Sequence, residues 1–502
     1  MKIPPLIFLL AAAALQAEPA LTIYNQNFAV VRDTVPLDLK AGVNEVSFHD
    51  TTAHLEPDSV VLRDPAGKLN LTILEQNYRN DPISQALLLS LNEGKTIDFF
   101  VRETNKPDRV VAGKIIRSGY VPHAQAAMQR YGQPYAMSQM AMASPDMSQP
   151  VIEVEGKVQF GLPGQPLFPS LGDDAILKPT LTWALESDKA QKFDAELAYI
   201  TGGMTWEADY NVIAPEKGDT LDIVGWVTMD NQSGKTFENA KIKLMAGDVN
   251  KIQPQDGVAA GFAMSARMDG DSMRGLPPVT EKSFDEYHLY TLSRPTTLRD
   301  RETKQVEFIR ANGVKSERIY VYDGLQIDPQ RWRGNSLQNL RTNEEFGSES
   351  DMKVAVMREF KNSKENKLGM PLPAGRLRFY RQGDDRQLEF TGENMITHTP
   401  KDETVRVFTG NAFDLVGERR RANFKVDNSN NWADETIEIK LRNHKTEPVE
   451  IRVVEHLYRW TNWEIVEKSN TFLKLNAQEI EFRVQLKPDE EQVITYKVHY
   501  SW

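Results

Sequence analysis

The chain has 502 residues, 40% hydrophobic and 26% charged, with 60 basic against 71 acidic side chains, a net charge of −11 and no cysteine. Its length suits two to four domains of ordinary folded composition, which excludes wholesale disorder. The missing thiols exclude disulfides, thiolate zinc sites, cysteine-ligated iron–sulfur clusters, cysteine nucleophiles and a lipidated N-terminal Cys, and the spread acidic balance argues against nucleic acid as a partner.

Met1-Lys2, an apolar run over residues 6–15 and the exit Gln16-Ala17-Glu18-Pro19 predict a secretory signal peptide cleaved near Ala17. Its apolar core is well short of the roughly 20 residues that cross a bilayer. Nothing later in the sequence approaches a transmembrane helix. The expectation is an exported protein, periplasmic or extracellular, with no transmembrane span in the mature chain.

From there the dominant period is two. Residues 21–24, 43–48, 60–62, 69–74, 97–101 and 110–116 predict short strands, separated by the turn signals Asn25-Gln26-Asn27, Lys40-Ala41-Gly42, Asp64-Pro65-Ala66-Gly67 and Lys106-Pro107-Asp108. The outstanding helical candidate is 82–91, where Ile83, Leu87, Leu88 and Leu91 share a face. Residues 123–150, rich in Ala, Gln, Met, Ser and Pro, have no period and predict a flexible insertion, and 253–279, rich in Gly, Met, Asp and Pro, predicts a second.

Apolar residues alternate through 180–187, 192–200, 205–213, 220–229 and 240–244, which predicts a meander of long antiparallel strands, continued by 286–292, 304–309 and 317–322. After about Thr404, the runs 436–441, 449–455, 480–486 and 493–502 predict an immunoglobulin-like sandwich. The expected fold class is mainly β, a multidomain antiparallel β-sandwich architecture with an immunoglobulin-like C-terminal domain and few helices. The expected organisation is a signal peptide over 1–17, an N-terminal β domain over 18–122, the Met/Ala/Gln-rich insertion 123–150, a central β domain over 151–402 with its mobile loop 253–279, and a C-terminal β-sandwich over 403–502. No fixed-period repeat points to a solenoid or propeller.

Five segments carry a resemblance: Tyr199-Ile-Thr-Gly-Gly-Met-Thr-Trp206-Glu-Ala-Asp-Tyr210; Gly225-Trp-Val-Thr-Met-Asp-Asn231 through Asn239-Ala-Lys to Ala246-Gly-Asp-Val-Asn250; Pro371-Leu-Pro-Ala-Gly375; Gly392-Glu-Asn-Met-Ile-Thr-His398-Thr-Pro400 to Ala412-Phe-Asp414; and Asn462-Trp463-Glu-Ile465. In this order, over roughly residues 20 to 502, they resemble the bacterial domain-of-unknown-function family related to the C-terminal part of mucoidy-inhibitor-A-like proteins. The resemblance implies a β-rich fold and brings no activity, cofactor or catalytic residue. Relatives named for mucoidy inhibition carry a coiled coil ahead of this domain, whereas this chain has no heptad run.

Gly94-Lys95-Thr96 and Gly234-Lys235-Thr236 lack the upstream glycine that a phosphate loop needs, having Leu89 and Met229 in its place, and each precedes a predicted strand, so both read as turns. The eight His residues form no HExxH motif. His398 is the most tempting, with a hydrogen-bonded structural role as its expected one. Ser350-Asp-Met-Lys353 matches S-x-x-K without the companion motifs. Asp427, Ser429, Asn431 and Glu438 have calcium-loop spacing, but Trp432 stands where the sharp turn needs Gly, which predicts a polar hairpin. Met128, Met137, Met140, Met142 and Met147, with His123 and with Met264, Met268 and Met273 in the second insertion, could offer soft ligands to Cu(I), against a plain linker. The alternation from Ile494 to Trp502 fits a sandwich edge strand with one buried face better than a membrane barrel. Arg419-Arg420-Arg421 reads as a solvated turn, with a partner patch as the alternative.

The sequence assigns no catalytic, cofactor-binding or metal residue, and no cofactor. It favours a non-enzymatic binding or scaffold protein of the bacterial envelope whose partner is an envelope protein or a glycan, and it leaves the oligomeric state open. The alternatives are a hydrolase of envelope polymers, with Glu207, Asp209, Glu393 and Asp414 among its carboxylates, and a Met-rich copper-handling protein.

Overall fold

A computed structural model describes residues 18–69, 71–80, 83–102, 107–120, 149–170, 177–215, 218–247, 249–251, 279–284 and 287–502. The signal peptide, His123, and the eight methionines considered for copper lie outside the described residues. The protein is mainly β, built from several largely antiparallel, sandwich-like sheets. Among the described residues no helix is long and apolar enough to cross a membrane.

The chain divides into two compact units, one comprising Met1–Trp206, Met229–Ser265 and Lys282–Lys304, the other Glu207–Thr228, Ala266–Glu281 and Gln305–Trp502. In the first, strand Ala20–Tyr24 pairs antiparallel with Phe28–Leu39 and parallel with Phe237–Ala246. A three-stranded sheet joins Gly42–His49, Thr180–Ser187 and Thr72–Arg79. A five-stranded sheet packs Ile97, Phe99, Ile115 and Ile152 against Leu89 of helix Gln85–Leu91. That helix begins at Ser84, whose hydroxyl accepts the Leu87 N–H at 3.1 Å and so satisfies one of the donors every helix start leaves open.

The expected meander does not form. Thr180–Ser187 lies in the three-stranded sheet, Gln191–Gly202 in an eight-stranded one, Met204–Ala214 and Thr220–Asn231 in a thirteen-stranded one, and Phe237–Ala246 returns to the eight-stranded sheet. Period-two alternation reports that one face of a strand is buried, and a strand that switches sheets carries the same pattern.

In the second unit Gly375–Gln382 lies between Leu388–Ile396, antiparallel, and Met204–Ala214, parallel. Gly375 is required there, because a Cβ would stand 2.0 Å from the Ala208 carbonyl oxygen. Thr404–Asp427 pairs with Lys353–Lys361 on one side and Trp432–Asn443 on the other. The last strand, Glu491–Ser501, is not the expected edge strand: it pairs with Trp432–Asn443 and Trp463–Lys468, and turns Ile494, Tyr496, Val498 and Tyr500 into a core with Ile437, Ile439, Ile451 and Phe482, because alternation reports the buried face and not the number of neighbours.

Arg419-Arg420-Arg421 is not a solvated turn. It sits inside Thr404–Asp427, with Arg419 buried, Arg421 largely so, and Arg420 outward against Glu438. Alternation in a strand, invisible in a run of three like charges, sends the middle residue to the opposite face.

Candidate functional site

Parts of four motif segments meet in the second unit, residues 207–210 and 225–228 from the first two of them. Register pairing sets Asp209 beside Arg376, Asn211 beside Arg378 and Ile213 beside Tyr380; on the other side Arg376 faces Met395, Arg378 faces Glu393 and Tyr380 faces Phe390. Residues at matched positions of neighbouring strands project from the same face of a sheet. Thr228 donates its hydroxyl to Asp209 Oδ2 at 2.8 Å and accepts from Gln305 Nε2 at 3.0 Å, which places Thr220–Asn231 on this face as well. Trp226, two residues before Thr228 and partly exposed, shares that face by alternation.

Arg378 is the centre of the group. Its Nη1 donates to Asp209 Oδ1 at 3.3 Å and its Nε lies 3.7 Å from Glu393 Oε2. The Asp209 side chain is 11% exposed, that of Arg378 32% and that of Glu393 50%, so the cluster grades from buried to open. Tyr380 and Phe390 meet edge to face with centroids 5.8 Å apart, and Leu388, Phe390 and Met395 stand exposed along the outer strand. Behind the face Tyr210 donates to the Pro373 carbonyl at 2.7 Å, and the Ala374 N–H donates to His398 Nδ1 at 3.0 Å. The latter bond leaves the ring proton on Nε2 and gives His398 a bond that ties one motif segment to another.

Of the four carboxylates considered for hydrolysis, Asp209 and Glu393 are thus brought together through Arg378. Glu207 is exposed on the same face as Asp209, and Asp414 is exposed on Thr404–Asp427, where its backbone carbonyl accepts from His444. Sequence reasoning missed Arg378, Thr228 and Trp226 as site residues. The available signal was the alternation of Arg376, Arg378 and Tyr380 within a run whose other face is apolar.

A second polar feature is an open depression of about 400 Å³ lined by Lys315, Glu317, Glu359, Lys361, Ser363 and Asn366 among others. Glu317 and Glu359 are register partners. Arg452 spans them, 3.2 Å from Glu317 and 3.6 Å from Glu359, and Arg406 also bonds Glu359. These carboxylates are engaged by guanidinium groups, which ill suits the acid and nucleophile roles of a hydrolase.

The other motif candidates resolve as local structure. Both Gly-Lys-Thr tripeptides lead from a left-handed glycine into a strand, at Thr96–Val101 and Phe237–Ala246. Ser350 and Lys353 lie on strands, not on one helical turn. Asp427 accepts the backbone N–H groups of Ser429 and Asn430 within its hairpin, while Glu438 is bound to Arg420. Among the described residues no three His, Asp or Glu side chains are grouped to hold a metal ion.

Residues 195–502 match the family described as Domain of unknown function (DUF4139). The chain belongs to this family. The whole Asp209–Arg378–Glu393 face lies within the DUF4139 match, as do Trp226, Thr228 and His398. No curated protein matches the chain.

Proposed function

We propose that this DUF4139 protein is an exported, non-enzymatic binding or scaffold protein of the bacterial envelope, related to the C-terminal part of mucoidy-inhibitor-A-like proteins. The observation that carries this reading is the use made of Arg378, which holds the two motif carboxylates Asp209 and Glu393 on one side of a sheet beside exposed apolar side chains. A hydrolase of glycosidic bonds needs one carboxyl group that can give up a proton and another free to attack or to activate water. Two carboxylates sharing a guanidinium fit recognition better, and an arginine beside aromatic rings is the combination enriched at binding faces. The N-terminal signal features support export.

The test is to express the full gene, identify the mature N-terminus by mass spectrometry, and incubate the purified product with envelope polymers. The expected outcome is an N-terminus near Glu18, recovery in the envelope fraction, and no polymer cleavage. Cleavage lost in Asp209→Asn would replace this reading with the hydrolase, and an unprocessed cytoplasmic product would sink export.

A further inference from the structure

The geometry points to a carbohydrate-binding surface on the Arg378 face, one that takes an uncharged glycan chain; this inference rests on the binding role proposed above and names its ligand. Three features of the face select that chemistry.

The first is the aromatic content. Trp226, Tyr380 and Phe390 share the face, with Phe390 57% exposed. A sugar ring presents a patch of C–H bonds on one side, and the electron-rich face of an aromatic ring is its natural complement. Adjacent strands are about 4.8 Å apart. In the order Leu388–Ile396, Gly375–Gln382, Met204–Ala214, Thr220–Asn231, the strands that carry Phe390 and Trp226 are three spacings, roughly 14 Å, apart. That span suits an extended oligosaccharide and exceeds a single sugar.

The second is the state of the polar groups. The contacts of Arg378 to Asp209 and Glu393, 3.3 and 3.7 Å, are longer than the 2.7–2.9 Å typical of charge-assisted bonds. Hydrogen-bonding capacity remains on the guanidinium and on the exposed Glu393 carboxylate. A pair of neighbouring sugar hydroxyls can donate to the carboxylate and accept from the guanidinium at once. Asn211, at the register position beside Arg378, adds an amide that does both.

The third is charge. Arg376 and Arg378 balance Asp209 and Glu393, and Glu207 on the same face tips the sum negative. Such a face gives no attraction to an anionic polymer. A peptide added to the outer strand is also disfavoured, because Asn394 already bonds the Phe408 carbonyl and a Cβ on Gly392 would meet the Thr409 carbonyl at 2.9 Å.

The experiment titrates the chain from Glu18 onward with short neutral oligomers of β-1,4-linked glucose and of N-acetylglucosamine, read by calorimetry and by tryptophan fluorescence. Trp226→Ala tests the ring at the Thr220–Asn231 end of the face. Phe390→Ala and Glu393→Gln change exposed side chains and keep the fold. Each variant is expected to weaken binding about tenfold or more, and Arg420→Ala, on another strand, to leave it unchanged. Absence of binding by the unaltered chain, or binding that survives all three variants, overturns the glycan assignment. Capture of an envelope protein lost in the same variants would also overturn it, while leaving the binding role intact. Polymer cleavage dependent on Asp209 would remove both.

Discussion

Two of the clusters of arginine and carboxylate in the second unit, those around Arg378 and around Arg419, differ in almost everything except composition. Around Arg378 the groups lie on one face of a sheet and grade toward solvent, with loose contacts. Behind the segment 337–347 the groups are sealed. Arg419 Nε lies 3.0 Å from both oxygens of Glu455, which also accepts from Tyr496 at 2.5 Å, and the Arg419 and Glu455 side chains are 1% and 0% exposed. Glu435 gathers Arg459, Arg421 and Tyr458 at 2.9, 3.2 and 2.9 Å. Arg459 and Arg421 then donate to the carbonyls of Leu340, Arg341, Asn343 and Phe346, while Arg419 donates to Gly347. Burial alone pulls the Arg419 pKa down, but the Glu455 carboxylate and nearby tyrosines more than reverse this and leave it well above its usual value. Burial raises the Tyr496 hydroxyl in the same pocket. The lesson is that charge clustering does not mark a binding site by itself. The sealed cluster is a structural clamp on 337–347 whose groups are out of a ligand's reach, whereas those of the open one grade toward solvent.

The largest effect that would break this comparison lies in the clamp. Glu435→Ala strands two guanidinium groups in the core, and removing one partner from a buried ionic set typically costs about 3–5 kcal/mol. Urea unfolding should show a loss of that order. Arg378→Ala should cost well under half as much, because Glu393 stays within reach of water and Asp209 keeps the hydrogen bond from Thr228. Equal losses would mean that the open cluster is a second clamp, and the binding interpretation of that face would fail. The pair exchange Arg419→Met with Glu455→Leu should cost much less than Glu455→Leu alone, since no unpaired charge is then left inside.

Next in size are three buried asparagines that end strands in the same way. Asn231 Nδ2 donates to the carbonyls of Lys235, Leu298 and Arg299; Asn443 does so to Glu447, Leu486 and Lys487; Asn362 bonds those of Met370 and Pro400. All three are fully buried. Each buried carboxamide ties together the backbone of the connections that meet at the end of its strand. Replacement by Ala should cost about 1–3 kcal/mol at each position, measured by thermal or urea unfolding. These costs should fall between those of the clamp and of the open face.

How much of this was legible beforehand follows from which interactions are local. Strand identity was readable, because alternation is written along each segment: Trp432–Asn443 and Glu491–Ser501 bury every second residue as their sequences require. Sheet membership was not, because the partner of Gly375–Gln382 is Met204–Ala214, more than 160 residues earlier. The same separation hid the site. Asp209 and Glu393 were visible as carboxylates within motif segments, but their shared guanidinium depends on two pairings between distant strands. The helix expected over 82–91 forms over Gln85–Leu91, because the Ser84 side chain caps it and sets its start. The arginine run was misread because three adjacent charges look solvated until alternation inside a strand divides them.

A smaller and pH-dependent effect lies beside the clamp, at the residue after Glu455. His456 lies 3.0 Å from Asp323 and 3.2 Å from Glu479, and the hydrogen bond to Asp323 raises its pKa above the usual histidine value despite the opposing effect of burial. The folded state therefore holds this proton more tightly than the unfolded chain. Its contribution to stability is complete below the unfolded pKa, about 6.5, and is lost as the pH rises through the raised folded value. The difference in melting temperature between the unaltered chain and His456→Gln should be largest below about pH 6.5 and shrink at higher pH. A difference independent of pH would show that the ring acts there by packing alone.

The smallest stability effect is expected where the functional effect is greatest. Glu393→Gln changes a half-exposed side chain whose nearest cation is 3.7 Å away, so its contribution to folding should be within about 0.5 kcal/mol of zero. Asp209, 11% exposed and bonded to both Thr228 and Arg378, is the contrasting position: Asp209→Asn should destabilise more, because it weakens two contacts in a largely buried setting. Unfolding curves of the two variants, set beside their oligosaccharide titrations, separate support from recognition. If Glu393→Gln unfolds as easily as Asp209→Asn, the gradation from buried to open across Arg378 has no energetic counterpart. If it leaves stability untouched and weakens binding, Asp209 is the anchor that orients Arg378 and Glu393 is the oxygen presented to the ligand.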